Sequence, residues 1–87
     1  MTSYRICGQP WDYASLPGEE NSRDGWRMVY AVLGPRETPT EGMRVALEGV
    51  DYAVARWTTV AYEDAPDPCR RRDPGQGIFE LVLEPLG

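Results

Sequence analysis

The residue types that most enzymes use for acid–base and nucleophilic chemistry are scarce in this sequence. The chain contains no histidine and no lysine, which removes the usual general base, the commonest metal ligand and the Schiff-base nucleophile. Cysteine, serine and threonine side chains remain, with no imidazole or amine to activate them. We therefore expect a protein that is not an enzyme, with no catalytic residues, no cofactor and no metal ligands.

Paired carboxylates offer a second kind of acid–base chemistry, which glycosidases use. Three pairs of acidic residues lie close together in the chain: Glu19 with Glu20, Asp64 with Asp67, and Glu80 with Glu84. Glu80 and Glu84 share one face of a predicted strand, but that face is expected to point to solvent. The aspartates of residues 64–73 lack the spacing of a calcium-binding loop. Both glycoside hydrolysis and metal binding are therefore disfavoured.

The two cysteines, Cys7 and Cys69, are far apart in the chain and form no C-x-x-C motif. A disulfide between them would close a long loop and stabilise the fold by about 4 kcal/mol on the chain-entropy model. However, the N-terminal residues have no pattern of an export signal, and cytosolic thiols are normally reduced. The sequence therefore predicts two free thiols, no disulfide and a cytoplasmic location.

One concentrated basic feature stands in this sequence, the run of three arginines at residues 70–72. Arginine binds carboxylate and phosphate groups through two parallel hydrogen bonds, and arginine with aromatic residues is the composition of interface hot spots. Two aromatic residues lie in a stretch predicted to be irregular. We predict a binding surface for a macromolecular partner, formed by Trp11, Tyr13, Arg70, Arg71 and Arg72.

A structural interpretation of the same residues stays open. Asp67 and Asp73 flank the arginine run and are placed to neutralise it. Trp11 and Tyr13 would then cover an edge of the core instead of meeting a partner.

Overall charge restricts the kinds of partner. Nine basic residues, all of them arginine, against fourteen acidic residues give a net charge of −5. A chain with this charge is repelled by nucleic-acid phosphates and by anionic membranes. Direct binding to nucleic acid or membranes is therefore disfavoured, and a protein partner is expected. Arginine without lysine is typical of GC-rich coding, as in some bacteria and their phages.

Length and composition predict one small globular domain over residues 1–87. The apolar fraction is 41% and the charged fraction 26%, which is ordinary for a folded domain. No uninterrupted apolar run is longer than Met28–Leu33, far short of the roughly 20 residues that span a bilayer.

Three segments have the composition of β-strands: residues 3–7, 26–33 and 78–84. Proline and glycine predict loops between them, over residues 8–25, 35–42 and 64–77. Residues 26–33 are apolar on both faces, which predicts a strand that is central or covered on both sides.

Residues 43–62 fit two periodicities. As a hairpin, they turn near Gly49, and their second strand places one alternating set on a single face: Tyr52, Val54, Thr58, Val60 and Tyr62. As a helix over residues 39–62, they begin with a capping box at residues 38–41. Glycines within the helix and the density of β-branched residues count against it, so the hairpin is favoured.

The same hairpin carries a resemblance to known folds. Residues 42–54 follow the pattern G-x-x-V-x-L-x-G-x-x-Y-x-V, which resembles a hairpin of small SH3-like β-barrels, including some phage head–tail joining proteins and some ribosome- or polymerase-associated domains. The resemblance implies a barrel hairpin and carries no functional residue. We predict an all-β fold, a small five-stranded antiparallel barrel or curled sheet with long loops; the alternative is an α+β fold, a three-stranded sheet with one helix over 39–62.

Three functions follow from these features. The main hypothesis is a small acidic, non-enzymatic protein–protein interaction module. The first alternative is a phage-type accessory or inhibitor protein that occupies a basic nucleic-acid-binding groove of a host machine, which an acidic patch would favour. The second is a small-ligand-binding β-barrel that uses Trp11, Trp26 and Trp57, which a deep aromatic pocket would favour.

Overall fold

Five β-strands make up most of the chain in the computed structural model, which describes residues 3–12, 25–73 and 75–86. The strands are β1 (Tyr4–Asp12), β2 (Arg27–Leu33), β3 (Arg44–Leu47), β4 (Val50–Thr59) and β5 (Ile78–Pro85). A 3₁₀ turn at Tyr62–Asp64 and one short helix, α1 (Asp67–Arg70), lie between β4 and β5. The predicted all-β fold is confirmed. None of the helical segments in these described ranges is long and apolar enough to cross a membrane.

The strands form a single antiparallel sheet with the order β1-β2-β5-β4-β3. The sheet curls into a half-barrel, so its two edge strands, β1 and β3, approach each other. The backbone N–H of Ala46 on β3 donates a hydrogen bond of 3.1 Å to the Tyr4 hydroxyl on β1. This side-chain link joins edges that have no backbone pairing between them.

Each face of the sheet buries its own apolar cluster. We call the face with the larger cluster the inner face; its buried residues are Val29, Ala31, Leu33, Val45, Leu47, Tyr52, Val54, Phe79, Leu81 and Leu83. On the outer face, a smaller cluster unites the sheet with the segment after β4; its buried residues are Cys7, Val32, Ala65, Cys69 and Ile78. Strand β2 lies between β1 and β5 and contributes to both clusters, as its two apolar faces predicted.

The hairpin over residues 43–62 is confirmed, and the helix over 39–62 is wrong. Leu47 pairs with Val50, and the two residues between them have positive φ angles, 53° at Glu48 and 82° at Gly49. Positive φ at both central positions defines a type I′ turn, whose twist matches that of the flanking strands. Glycine adopts this conformation at no steric cost.

The predicted alternation along β4 is only partly correct, because the pairing with β5 shifts between Val54 and Arg56. The extra residue of this β-bulge reverses which face the later residues occupy. Trp57 therefore lies opposite Leu81 and on the inner face, whereas Val60 packs against the outer cluster. Simple alternation cannot predict this reversal, since it assumes an uninterrupted strand.

Two predicted loops contain regular structure. Strand β1 continues past the predicted end at residue 7 to Asp12, through a register irregularity between Cys7 and Trp11. Gly8 lies within that irregularity with a φ of 74°, which glycine tolerates. The predicted loop over 64–77 contains α1, with Pro68 in its first turn, a position where proline is favoured.

Candidate functional site

A segment that we call the arm, residues 60–72, packs against the outer face of the sheet. Its Ala65 and Cys69 belong to the outer cluster with Cys7 and Val32. Cys7 and Cys69 are joined by a disulfide, with their Cα atoms 5.2 Å apart and 62 positions between them in sequence. The predicted free thiols are therefore wrong. The pairing depends on α1 packing on β1, a contact between distant segments that the spacing of two cysteines does not reveal.

Arg5 also holds the arm to the sheet, and the sequence analysis missed this residue. Its Nη2 donates a hydrogen bond of 2.7 Å to the carbonyl of Arg71, and its Nη1 donates one of 3.4 Å to the carbonyl of Pro68. Arg5 lies on β1 opposite Val32, two residues before Cys7. Its alternation with the inward-facing Tyr4 and Ile6 was the available signal, but only the position of the arm shows what Arg5 contacts.

Arg70, one of the predicted binding residues, is engaged within the arm. Its Nε and Nη2 donate hydrogen bonds to the carbonyls of Tyr62 and Glu63, at 3.1 and 2.8 Å. Its Nη1 lies 3.4 Å from a carboxylate oxygen of Asp67. Arg70 therefore links α1 to the 3₁₀ turn, and for this residue the structural interpretation of the arginine run holds.

Arg72 is also used internally. Its Nη1 donates a hydrogen bond of 2.7 Å to the carbonyl of Gln76, and its Nε is buried without a hydrogen-bond partner. The guanidinium groups of Arg72 and Arg70 lie 5.6 and 5.7 Å from the centre of the Tyr62 ring, within the range of cation–π attraction. These two arginines therefore link the 3₁₀ turn, α1 and Gln76.

Arg71 differs from its two neighbours. It is exposed, and its guanidinium makes no hydrogen bond or ion pair with any of the described residues. It lines an open cleft of about 260 Å³ between the start of β1, the end of β2 and the arm. The lining residues are Ser3, Tyr4, Arg5, Val32, Gly34, Arg71, Asp73 and Gln76. This cleft therefore brings together two guanidinium groups and one carboxylate.

Trp11 lies on the outer face of β1, on the other side of Cys7 from Arg5. It is 37% exposed, and its ring centre is 5.2 Å from that of Tyr30, with the two planes at 47°. The pKa of the Tyr30 hydroxyl is raised, first by burial and then by the charge and hydrogen bond of Glu80 and the charge of Asp64. An aromatic pair and two carboxylates therefore share this end of the face.

The predicted binding surface thus divides into two sites. Trp11 and Arg5 both lie on β1, and their partners on β2, Met28 and Val32, are four positions apart, which is about 13 Å along a strand. Arg71 lies with Arg5 and Trp11 lies with Tyr30, while Tyr13 falls outside the described residues. Trp57 is on the inner face, where its ring makes an edge-on contact with Phe79 at 5.7 Å.

In the part of the chain that the structure describes, no group of three or more histidine, cysteine or acidic side chains is placed to hold a metal ion. Comparison of the whole chain with protein-family models, with curated proteins and with solved structures found no match. Any functional interpretation therefore depends on the geometry of the two outer-face sites.

Proposed function

We propose that this protein is a small acidic, non-enzymatic protein–protein interaction module whose partner inserts a carboxylate into the Arg71 cleft. The observation that carries the proposal is the contrast within the arginine run. Arg70 and Arg72 have partners inside the fold, whereas the Arg71 guanidinium has none among the described residues and lies at the edge of a cleft. A guanidinium recognises a carboxylate through two parallel, charge-assisted hydrogen bonds.

The surroundings of Arg71 favour a single carboxylate over a polyanion. Arg5 adds positive charge to the cleft, although two of its nitrogens already donate to carbonyl groups. Asp73 lines the same cleft and would repel a second negative group. With a net charge of −5, the protein also repels nucleic acid at long range. An aspartate or glutamate side chain, or a C-terminal carboxylate, of a protein partner fits these conditions.

The disulfide adds support for a role without catalysis and bears on location. Because Cys7 and Cys69 are bonded to each other, neither offers a thiolate nucleophile, and the sequence has no histidine or lysine to act as a base. The disulfide also weighs against the cytoplasmic location that the sequence predicts, since cytosolic thiols are normally reduced.

The two alternative functions receive unequal support. A small-ligand barrel would need its tryptophans around one pocket, but none of them lines the cleft, and Trp11 and Trp57 lie on opposite faces. An inhibitor that occupies a basic groove needs an acidic contact surface. The carboxylates of Glu80 and Asp64 near Trp11 favour that alternative and are compatible with the interaction module.

The test compares Arg71→Gln with Arg44→Gln. Both positions are exposed, and Arg44 lies on β3, away from the cleft. Partners retained by the immobilised wild-type protein would be identified, and their affinities for both variants measured. We expect Arg71→Gln to weaken binding about tenfold or more, as for a central interface arginine, and Arg44→Gln to bind like the wild type. A partner that binds Arg71→Gln as tightly as the wild type would contradict the proposal.

A further inference from the structure

The Trp11 end of the outer face combines a partly exposed aromatic pair with nearby carboxylates. The indole of Trp11 is partly open to solvent, and the tilted ring of Tyr30 packs beside it. The planes of the two rings meet at 47°, so Tyr30 does not stack flat on the indole. Aromatic rings carry negative charge on their faces and attract cations there.

Carboxylates from two other elements lie next to this aromatic pair. Glu80 on β5 is directly opposite Tyr30 on β2, and Asp64 in the 3₁₀ turn lies close enough for its charge to act on the Tyr30 hydroxyl. The site therefore draws on β1, β2, β5 and the arm, and its geometry depends on the arm being in place. The charge of these two carboxylates is opposite to that of the Arg71 guanidinium in the cleft.

We propose that Trp11, Tyr30, Glu80 and Asp64 form a second site, which takes an arginine side chain of the protein partner. This inference rests on the proposed function, because the same partner would engage both ends of the outer face. A guanidinium is planar and weakly hydrated, so it stacks on an indole while its N–H groups donate to carboxylates. The site offers both contacts, the Trp11 face for stacking and the Glu80 carboxylate as the acceptor.

The nearby arginines of the chain do not take this place. Arg70 is bound to Asp67 and to two carbonyls of the 3₁₀ turn. Arg56 lies on β4 opposite Val82, two residues along β5 from Glu80 and in the same row of the sheet as Trp11, and it has an interaction of its own. The Trp11 ring has no guanidinium stacked on it among the described residues. The Trp11 side chain is 37% exposed, so an arginine from outside the chain can reach it.

The test uses the purified full chain and N-acetyl-arginine amide as the probe, with N-acetyl-lysine amide and choline as comparisons. Binding is followed by the NMR signals of the three indole N–H groups. Trp57 is the internal control, because it is 39% exposed, close to the 37% of Trp11, but lies on the other face. We expect the arginine probe to shift the Trp11 signal saturably and the Trp57 signal little, with weaker effects of lysine and choline.

Glu80→Gln and Glu84→Gln provide the matched pair of variants. Both residues lie on the same face of β5, but Glu84 is opposite Ala53, away from Tyr30. We expect Glu80→Gln to weaken arginine binding about fivefold and Glu84→Gln to change it less than twofold. Equal shifts at Trp11 and Trp57, equal effects of the two variants, or tighter binding of lysine or choline would each overturn the assignment.

Failure of this inference can be told apart from failure of the proposed function. The Arg71→Gln variant should bind the arginine probe like the wild type, because Arg71 contacts none of the four residues of the second site. If the arginine probe does not bind while Arg71→Gln still loses the protein partner, only the second site is wrong. If the probe binds as expected while Arg71→Gln keeps the partner, the carboxylate cleft is wrong and the arginine site stands.

Discussion

The two faces of the sheet are stabilised in different ways. The inner face buries ten apolar residues from β2, β3, β4 and β5, all pointing to one side of a curled sheet. The outer cluster buries five residues and depends on a few discrete links between β1 and the arm. Those links are the Cys7–Cys69 disulfide and the hydrogen bonds that Arg5 donates to two carbonyls.

Because of this difference, stability and binding depend on different faces of the sheet. Burial of many side chains is a diffuse contribution that one surface substitution barely changes. A covalent link and a few hydrogen bonds can be removed one at a time. Both candidate sites lie on the outer face and each includes a residue of the arm, Arg71 or Asp64, so losing the arm should impair binding before it unfolds the inner sheet.

Removing the disulfide is expected to have the largest effect. Closing a loop of 62 residues stabilises the folded state by about 4 kcal/mol on the chain-entropy model. Urea unfolding of the Cys7→Ser/Cys69→Ser variant should show that loss. Hydrogen exchange should show the arm losing protection while β2 and β5 keep theirs. Thiol titration of the denatured, non-reduced wild type should find no reactive group. Two reactive thiols per chain, or an unchanged free energy of unfolding in the variant, would contradict this prediction.

Matched truncations sharpen the contrast between the faces. Leu81 on the inner face and Ile78 on the outer face are both buried and lie on β5. Leu81→Ala should cost about 3 kcal/mol, and Ile78→Ala about 2 kcal/mol, because the smaller outer cluster can relax around the cavity. Chemical denaturation measures both values. A larger loss in the free energy of unfolding for Ile78→Ala than for Leu81→Ala would contradict the proposed difference between the faces.

The link between the sheet edges should contribute less. Tyr4→Phe removes the hydroxyl that accepts the Ala46 N–H but keeps the ring against the inner cluster. We expect a loss of about 1 kcal/mol in the free energy of unfolding. Tyr62→Phe, on the exposed side of the arm, is the control and should be near neutral. Equal values for the two variants would mean that the curled sheet needs no link between β1 and β3.

The smallest expected effect is the response of the outer face to alkaline pH. The raised pKa of Tyr30 means that the unfolded state, with an ordinary value of 10.0, ionises first as the pH rises. The stabilisation is complete below that value and is lost above it. Urea unfolding near neutral pH and at about pH 11 should show a smaller alkaline loss for Tyr30→Phe than for the wild type. An equal loss would assign the sensitivity to the other tyrosines.

The strands were more predictable than the site. β2, β5 and the β3–β4 hairpin follow from alternation, β-branched density and a turn sequence, all of which act between near neighbours in the chain. The extension of β1 to Trp11 was missed, because Gly8 and Pro10 are typical of loops and here lie within an irregular part of the strand. The face of Trp57 was missed because the β-bulge at residue 55 leaves no periodic signal.

For the candidate site, the sequence identified the right residue types but not their roles. The sequence alone does not distinguish the three adjacent arginines from one another. The arm gives Arg70 and Arg72 internal acceptors and leaves Arg71 at the cleft. Arg5 and Tyr30 were missed, because their importance comes from contacts with residues more than thirty positions away.

The sequence by itself determined the strand periodicity, the hairpin turn, the acidic charge and the lack of ordinary catalytic bases, because these properties depend on composition or on residues a few positions apart. Only the tertiary structure decided the disulfide, the division of the predicted surface into two sites, and which arginine of residues 70–72 has no partner among the described residues. The physical reason is that the arm packs across β1 and β2, and this packing sets the distances between side chains that sequence spacing leaves undetermined.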